Sequence, residues 1–270
     1  MVAFDTETAM HAPLDRLVEI AALKFRGVHK VAEFSTLVDP GSPIPPEAIA
    51  VHGIDDAAVR GAPKARAAIA EFFRFCGEAP LVAHNAPFDA SILAGEMARA
   101  RIDPPPNPIL DTRLLAKALV RTDSYSLVNL VKALGLPAGT HHRALADALH
   151  VFHLVRRLLE RLGDPDGVLF GEVLRRNAPI SFERYLPKPP SLGDDLRPLA
   201  AAASSGESVT IDYAVEGTRR TSLLVTPRLL FAKEGGSYME ALCHASGIVK
   251  TYRLERIHGL RAETGQGLLF

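Results

Sequence analysis

Apolar residues change their spacing twice along this 270-residue chain, and those changes limit the fold more than any single motif does. Up to about residue 160 the pattern begins with strands, at Val2–Thr6, Leu17–Phe25 and Val31–Asp39. Strands at Pro80–His84 and Pro108–Leu110 then alternate with helices near 64–75, 87–101, 112–120, 125–134 and 143–160. Hairpin-connected strands followed by strand–helix units predict an α/β domain over residues 1–160, a mixed sheet with helices on its faces. Between 161 and 203 the period is lost. Leu169–Asn177 keeps a helical spacing, but Pro179, Pro187, Pro189, Pro190 and Pro198 punctuate the rest. This stretch reads as a proline-rich, partly helical connector in which Ala200–Ala203 ends a helix. From 204 to 263 the pattern becomes short strands, at Val209–Tyr213, Ser222–Val225, Leu229–Lys233, Ser237–Cys243, Lys250–Leu254 and Ile257–Arg261. Glu216-Gly217 and Gly235-Gly236 supply turns. Five or six such strands predict a small β-barrel or curled sheet, leaving 264–270 as a tail.

Composition narrows the setting. A 47% hydrophobic content suffices for one large core and a small one. The only cysteines, Cys76 and Cys243, lie far apart and in no CxxC arrangement, so a reducing compartment is expected and neither a disulfide framework nor a structural zinc site is indicated. No signal peptide and no long apolar span is visible, which predicts a cytoplasmic protein that does not engage a membrane. Basic and acidic residues balance at 31 each and no polybasic tail exists. Phosphate binding must then rely on local patches, which suits a few terminal nucleotides better than a long tract. A homo-oligomer is left open.

Three acidic segments carry the chemistry. On a strand, residues two apart share a face, so Asp5 and Glu7 of Phe4-Asp5-Thr6-Glu7-Thr8 stand side by side. Their repulsion disappears if a divalent cation lies between them. In His84-Asn85-Ala86-Pro87-Phe88-Asp89, a buried strand runs into Pro87 at a helix start, with Asp89 in the first turn. Taken alone, Asp89 reads as a favourable charge at a helix N-terminus. In His142-Arg143-Ala144-Leu145-Ala146-Asp147, the last carboxylate falls on the same helix stripe as Ala144, Ala148, Val151 and Val155. A buried, unpaired carboxylate is costly, so Asp147 needs a partner, and a metal bridging it to Asp5 is a sufficient one. Four carboxylates offer hard oxygen ligands that suit Mg²⁺ or Mn²⁺ better than zinc. Asp111, at the end of another strand, is a rival metal ligand on chemistry alone and, alternatively, a cap for the helix that follows.

In this order the segments resemble the Exo I, Exo II and Exo III motifs of the DEDD family of 3′→5′ exonucleases. That family's general base is a Tyr four residues before the last Asp or a His five residues before it. Here position 143 is Arg and position 142 is His, the pattern of the DEDDh branch, which includes the epsilon proofreading subunit of bacterial DNA polymerase III. His141, adjacent, is the less favoured base on spacing. The resemblance implies a ribonuclease H-like fold and two Mg²⁺ or Mn²⁺ ions. Asp5, Glu7 and Asp147 would bind the first, Asp5 would help with the second, and Asp89 would act through a water. His142 would take a proton from the attacking water, work suited to an imidazole with its usual pKa near 6.5. Val51-His52-Gly53-Ile54 looks like the epsilon-type segment that abuts terminal bases, so His52, Gly53 and Ile54 are candidate substrate contacts, together with Thr6, Thr8, Asn85 and Phe88. After Thr8 the usual Thr-Gly is missing, and a truncated start or a short first strand would account for it.

The C-terminal residues Ile211-Asp212-Tyr213, Pro227-Arg228-Leu229-Leu230, Tyr238 and Tyr252-Arg253-Leu254-Glu255-Arg256-Ile257 resemble a WYL domain with an Sm- or SH3-like barrel. The naming triplet is reduced to Ser237-Tyr238-Met239. The resemblance implies a basic concave face for a nucleotide or single strand, with Arg220, His244, Lys250, Arg253 and Arg256 as anion-binding candidates. The expected function is a 3′→5′ exonuclease acting on 3′ ends of single-stranded DNA. RNA trimming is the alternative, and a sensor regulating an attached nuclease is the reading of another class.

Overall fold

The structure is a computed structural model that describes residues 1–10, 13–139, 141–163, 170–215 and 219–262. It divides into two compact units, 1–186 and 187–270. The predicted turn at Glu216-Gly217 and the tail 264–270 lie outside the described residues.

The first unit is built on strands β1 (Val2–Thr8), β2 (Leu17–Arg26), β3 (His29–Leu37), β4 (Leu81–Ala83) and β5 (Ile109–Asp111), in the order β3-β2-β1-β4-β5. The first three pair antiparallel, while β4 and β5 run parallel to β1. Helices α1 (Pro46–His52), α2 (Ala65–Cys76), α3 (Pro87–Ala100), α4 (Thr112–Leu119), α5 (Leu127–Ala133), α6 (Ala144–Glu160) and α7 (Phe170–Arg176) complete it. β1 has seven residues, so the departure after Thr8 does not shorten the strand. β2 is buried from Leu17 through Leu23 because both its faces are covered, whereas β3 forms a largely exposed edge.

Alternation along β1 sorts its side chains. Val2 and Phe4 enter a core with Ile69 and Phe72 of α2 and Leu93 and Met97 of α3. Ala3 enters the opposite core with Leu115 of α4, Leu130 of α5 and Val151 and Leu154 of α6. The odd positions continue as Asp5 and Glu7, and a two-residue period sends them to the α6 side. Thr6, on the even side, meets Asp89 of α3.

Helix α1 was not anticipated. Pro46 occupies its first turn, where a missing N–H costs nothing, Glu47 favours the N-terminus, and Gly53 closes it at φ 72°, a left-handed conformation that glycine adopts without strain. The stretch read as a connector, 161–203, divides between the units. Val173 of α7 and the fully buried Phe182 belong to the two cores of the first unit. Ile180 pairs with Ile109, and the Asn177 amide donates to the Asp111 carbonyl at 2.9 Å. Prolines end helices here without ending the domain.

The second unit holds α8 (Pro198–Ser205) and strands β6 (Val209–Tyr213), β7 (Thr221–Lys233), β8 (Gly236–Cys243), β9 (Ile248–Arg253) and β10 (Ile257–Ala262). They form an antiparallel sheet in the order β10-β6-β7-β8-β9, and no ladder joins β9 to β10 among the described residues. The two strands expected at 222–225 and 229–233 are one. Pro227 sits where the β7–β8 register shifts, a bulge that accommodates a residue with no N–H to donate. Leu199 and Ala202 of α8 pack with Ile211, Val225, Met239 and Tyr252. Among the described residues no helix is long and apolar enough to cross a membrane, and Cys76 and Cys243 are both buried and unpaired.

Candidate active site

A pocket of about 300 Å³ opens at the C-terminal end of β1, lined by Asp5, Thr6, Glu7, His84, Ser126, Leu127, Val128, His141, His142 and Asp147. Carboxylate oxygens of Asp5, Glu7 and Asp147 lie within 4.8 Å of one another, a grouping that could hold a metal ion. β1 supplies the first two and the first turn of α6 the third. Asp89 is 2% exposed and lies beside this group, its carboxylate accepting from the Thr6 hydroxyl at 2.7 Å.

Crowding of negative charge sets the electrostatics. Burial, then the charges of Asp89, Asp147, Glu7 and Glu19, hold the Asp5 carboxyl well above the usual carboxylate range. Burial, reinforced by Asp147 and Glu19, pushes Glu7 up to about 8 against the opposing pull of Arg143. Burial raises Asp89 to about 7, with the Thr6 hydrogen bond opposing it. Arg143 gives its guanidinium bonds to Glu19, so among the described residues no Arg or Lys bonds to the three-carboxylate group. A hard divalent ion fits what such donors lack.

A pH dependence follows. Groups whose folded pKa is raised bind more protons when folded than when unfolded, so their contribution to stability falls as pH rises from about 4.5 toward the folded values, here about 7 and 8. In excess chelator the thermal midpoint is expected to drop between pH 5 and pH 8.5. Saturating Mg²⁺ or Mn²⁺ and the Glu7→Gln substitution should each flatten that slope. Melting curves with the same slope under all three conditions would show that the carboxylates do not strain the fold.

Asp147 is held by three donors. Its Oδ1 lies 3.0 Å from His141 Nδ1 and 3.4 Å from His150 Nδ1, and its Oδ2 accepts from the His142 backbone N–H at 2.8 Å. The rings of His141 and His150 stack at 4.4 Å. His142 adopts φ 62°, and its exposed ring makes no hydrogen bond among the described residues. Both histidines line the pocket, His141 tied to Asp147 and His142 with its ring unbonded among the described residues.

The remaining candidates separate. His52 is buried, its Nε2 3.1 Å from the Thr8 carbonyl and its Nδ1 accepting from the Ile54 N–H at 3.0 Å. Ile54 is 2% exposed in a small core with Ala9, Val18 and Ile44. Both are occupied in fixing the end of β1, and Gly53 in closing α1. Thr6 lines the pocket, Thr8 is buried, and Phe88 stands exposed at the start of α3. Asn85 holds a left-handed turn at φ 63° and donates its N–H to Asp111. Asp111 does cap α4, accepting from Arg113 N–H at 2.8 Å.

Sequence reasoning missed His84, which ties β4 to Thr112 and to the Tyr125 carbonyl, each at 2.9 Å, and the residues opening α5. It also missed Glu19, an acid inside an apolar strand run. In the second unit the basic candidates do not gather on one face. Lys250 and Arg253, three apart on β9, point to opposite sides of the sheet. Arg253 lies over the Tyr238 ring and donates to the Gly235 carbonyl at 2.9 Å, and His244 Nε2 lies 2.8 Å from the Thr226 hydroxyl. Arg220 is exposed, and Arg256 belongs to the short 3-10 helix Leu254–Arg256.

A mixed sheet in this order, with acidic residues from β1, α3 and α6 converging at one end, defines a ribonuclease H-like nuclease fold. A family model described as exonuclease, RNase_T, matches residues 2–155, and a WYL-domain model matches 194–262. The chain belongs to the RNase_T exonuclease family and carries a WYL domain after the nuclease fold. It is 39% identical over 182 residues to a DNA polymerase III subunit epsilon-like protein of Rhodobacter capsulatus, covering 64% of this chain but only 25% of that protein. Over 150 residues it is 36% identical to the DNA polymerase III subunit epsilon of Treponema pallidum, covering 54% of this chain and 70% of that one. The fold is shared with an exonuclease I, at TM-score 0.54 and 16% identity over 97% of this chain and 64% of that one. It is shared likewise with the nuclease domain of 3′hExo, a DEDDh family member, at TM-score 0.54 and 14% identity over 61% of this chain and 92% of that one. Exonucleases of this family use divalent metal ions.

Proposed function

We propose that the chain hydrolyses the terminal phosphodiester bond of single-stranded DNA from the 3′ end, releasing mononucleotides. The observation that carries this reading is the convergence of Asp5, Glu7 and Asp147 oxygens within 4.8 Å, at the open end of a pocket in an exonuclease fold. Asp5, Glu7 and Asp147 would hold divalent metal, Mg²⁺ or Mn²⁺, with Asp89 in support. Ions bound there supply the charge that stabilises the attacking and leaving oxygens of an in-line displacement at phosphorus. His142 accepts the proton of the attacking water as the new O–P bond forms. The P–O3′ bond breaks, the O3′ of the penultimate nucleotide takes a proton from solvent water to become a free 3′ hydroxyl, and the terminal nucleotide leaves as its 5′-monophosphate. Thr6 and the apolar Leu127 and Val128 wall the pocket where a terminal nucleotide would lie. Relatedness to epsilon subunits favours DNA over RNA.

The C-terminal unit adds, in this proposal, a second hold on the strand through Arg253 on Tyr238 and the neighbouring Arg256.

End-labelled linear DNA, the matching RNA and a circular single strand, incubated with Mg²⁺ or Mn²⁺, test both parts. Linear DNA should shorten from its 3′ end, the circle should survive, and Arg253→Ala with Arg256→Ala should weaken binding of long strands and lessen its salt dependence. Cutting of the circle would overturn the exonuclease reading, and preference for RNA would overturn the substrate. Unaltered binding at low and high salt would leave the C-terminal unit with another role.

A further inference from the structure

Glu19 is a carboxylate near the site that the proposed chemistry does not use, and it is 2% exposed. It stands opposite Glu7 in the β1–β2 ladder and adds its charge to a cluster already strained by repulsion. Both of its oxygens are occupied. Oε1 accepts from Arg143 Nη2 at 2.8 Å, and Oε2 accepts from Arg143 Nε at 3.1 Å and from the Ala144 N–H at 2.9 Å. A carboxylate committed in this way is a poor metal ligand and a strong anchor, because a two-point guanidinium fork fixes orientation as well as distance.

What it anchors is the segment that carries His142. Arg143 is the N-cap of α6 in an extended conformation, at φ −142° and ψ 124°, and Ala144 is the first residue of the helix. The residue before Arg143, His142, is left-handed at φ 62°, a conformation side chains beyond Cβ rarely adopt, and its N–H is tied to Asp147. The chain therefore turns sharply at His142 between two fixed points, Asp147 on one side and Glu19 on the other. Releasing the second would let the turn relax and carry the imidazole away from the pocket.

We infer that Glu19 is a positioning residue for proton transfer, acting through its fork with Arg143 to hold His142 toward the reacting water. This rests on the reading of His142 as the base.

The variants are Glu19→Gln, Arg143→Ala, His142→Ala and the pair Glu19→Gln with His142→Ala, all in the full chain. Glu19→Gln retains the shape and an acceptor for Ala144 while weakening the fork. Its kcat at pH 7 should fall about 10- to 100-fold, the range expected when a catalytic group is misplaced by a fraction of its length. KM and the Mg²⁺ concentration for half-maximal rate should stay within about twofold of wild type. The deficit should shrink toward pH 9.5, where hydroxide supplants the base, and in the His142→Ala background Glu19→Gln should add less than about twofold. Arg143→Ala, at a half-exposed position, should reproduce the pattern if Glu19→Gln lowers the thermal midpoint too far to assay.

A wild-type kcat in Glu19→Gln, a deficit that is the same at every pH, a shifted Mg²⁺ requirement, or effects that multiply with His142→Ala would each overturn the inference. If His142→Ala itself keeps the wild-type rate, the base assignment fails. If His142→Ala is impaired and Glu19→Gln is not, only the role of Glu19 fails.

Discussion

Asp5→Asn is expected to lower turnover by about three orders of magnitude or more while the protein stays folded. Asp5 lies at the centre of the carboxylate group, its carboxyl held up by burial and by four neighbouring negative charges. Loss of one anionic ligand removes charge stabilisation at the position where the reacting oxygens gather, an interaction needed most in the transition state. The same substitution removes a repulsion from the metal-free fold, so its thermal midpoint in chelator should equal or exceed that of wild type. Added Mg²⁺ or Mn²⁺ should stabilise wild type and leave the variant almost unmoved. Asp147→Asn should lose activity similarly. Hydrolysis within tenfold of wild type, measured on end-labelled DNA with a matched melting curve, would refute the metal assignment.

His142→Ala is expected to lower kcat at neutral pH by about 10²- to 10⁴-fold, the usual worth of a positioned general base. Metal-induced stabilisation should persist, because no ring atom of His142 bonds to the carboxylate group. As pH rises toward 9.5 the variant should gain on wild type, since hydroxide becomes plentiful enough to act without a proton acceptor. His141 provides the control. Its Nδ1 is already 3.0 Å from Asp147, so His141→Ala should disturb metal affinity more than the pH profile. A larger loss of kcat in His141→Ala, with a pH profile that flattens there and not in His142→Ala, would reverse the two roles.

Much of this site was legible in the residues. A strand period of two places Asp5 and Glu7 on one face whatever the strand packs against, and it sends Thr6 to the other. The helical stripe on which Asp147 falls likewise requires that its carboxylate face the interior, where an unpartnered charge is untenable. Spacing from Asp147 favoured His142 over His141; in the structure both line the pocket, and His141 alone is bonded through its ring to Asp147.

What stayed hidden depended on partners far away in sequence. Glu19 looks like an intrusion in an apolar strand until Arg143, 124 residues later, is brought against it. His150 carries no local mark of its contact with Asp147. The ring nitrogens of His52 and the apolar side chain of Ile54, in the epsilon-like segment, are taken up inside the fold, which the local pattern does not reveal. In the second unit, Lys250 and Arg253 are close in sequence but separated by the sheet between them.

The sequence by itself determined the local periods, the chain order of the acidic segments and the side of β1 on which its carboxylates lie, because each follows from backbone geometry over a few residues. The tertiary structure alone decided where the first unit ends. Prolines after 177 break helices, but the apolar surface of Val173 and Phe182 is buried only against cores assembled from distant strands and helices, so the chain to Leu186 belongs with them. It also decided that Pro227 bulges a single long strand, since a proline is tolerated wherever the neighbouring register can shift. It decided, finally, that Glu19 is satisfied by hydrogen bonds from Arg143 and Ala144 while carboxylate oxygens of Asp5, Glu7 and Asp147 come within 4.8 Å of one another, because those partners arrive from a segment more than a hundred residues away.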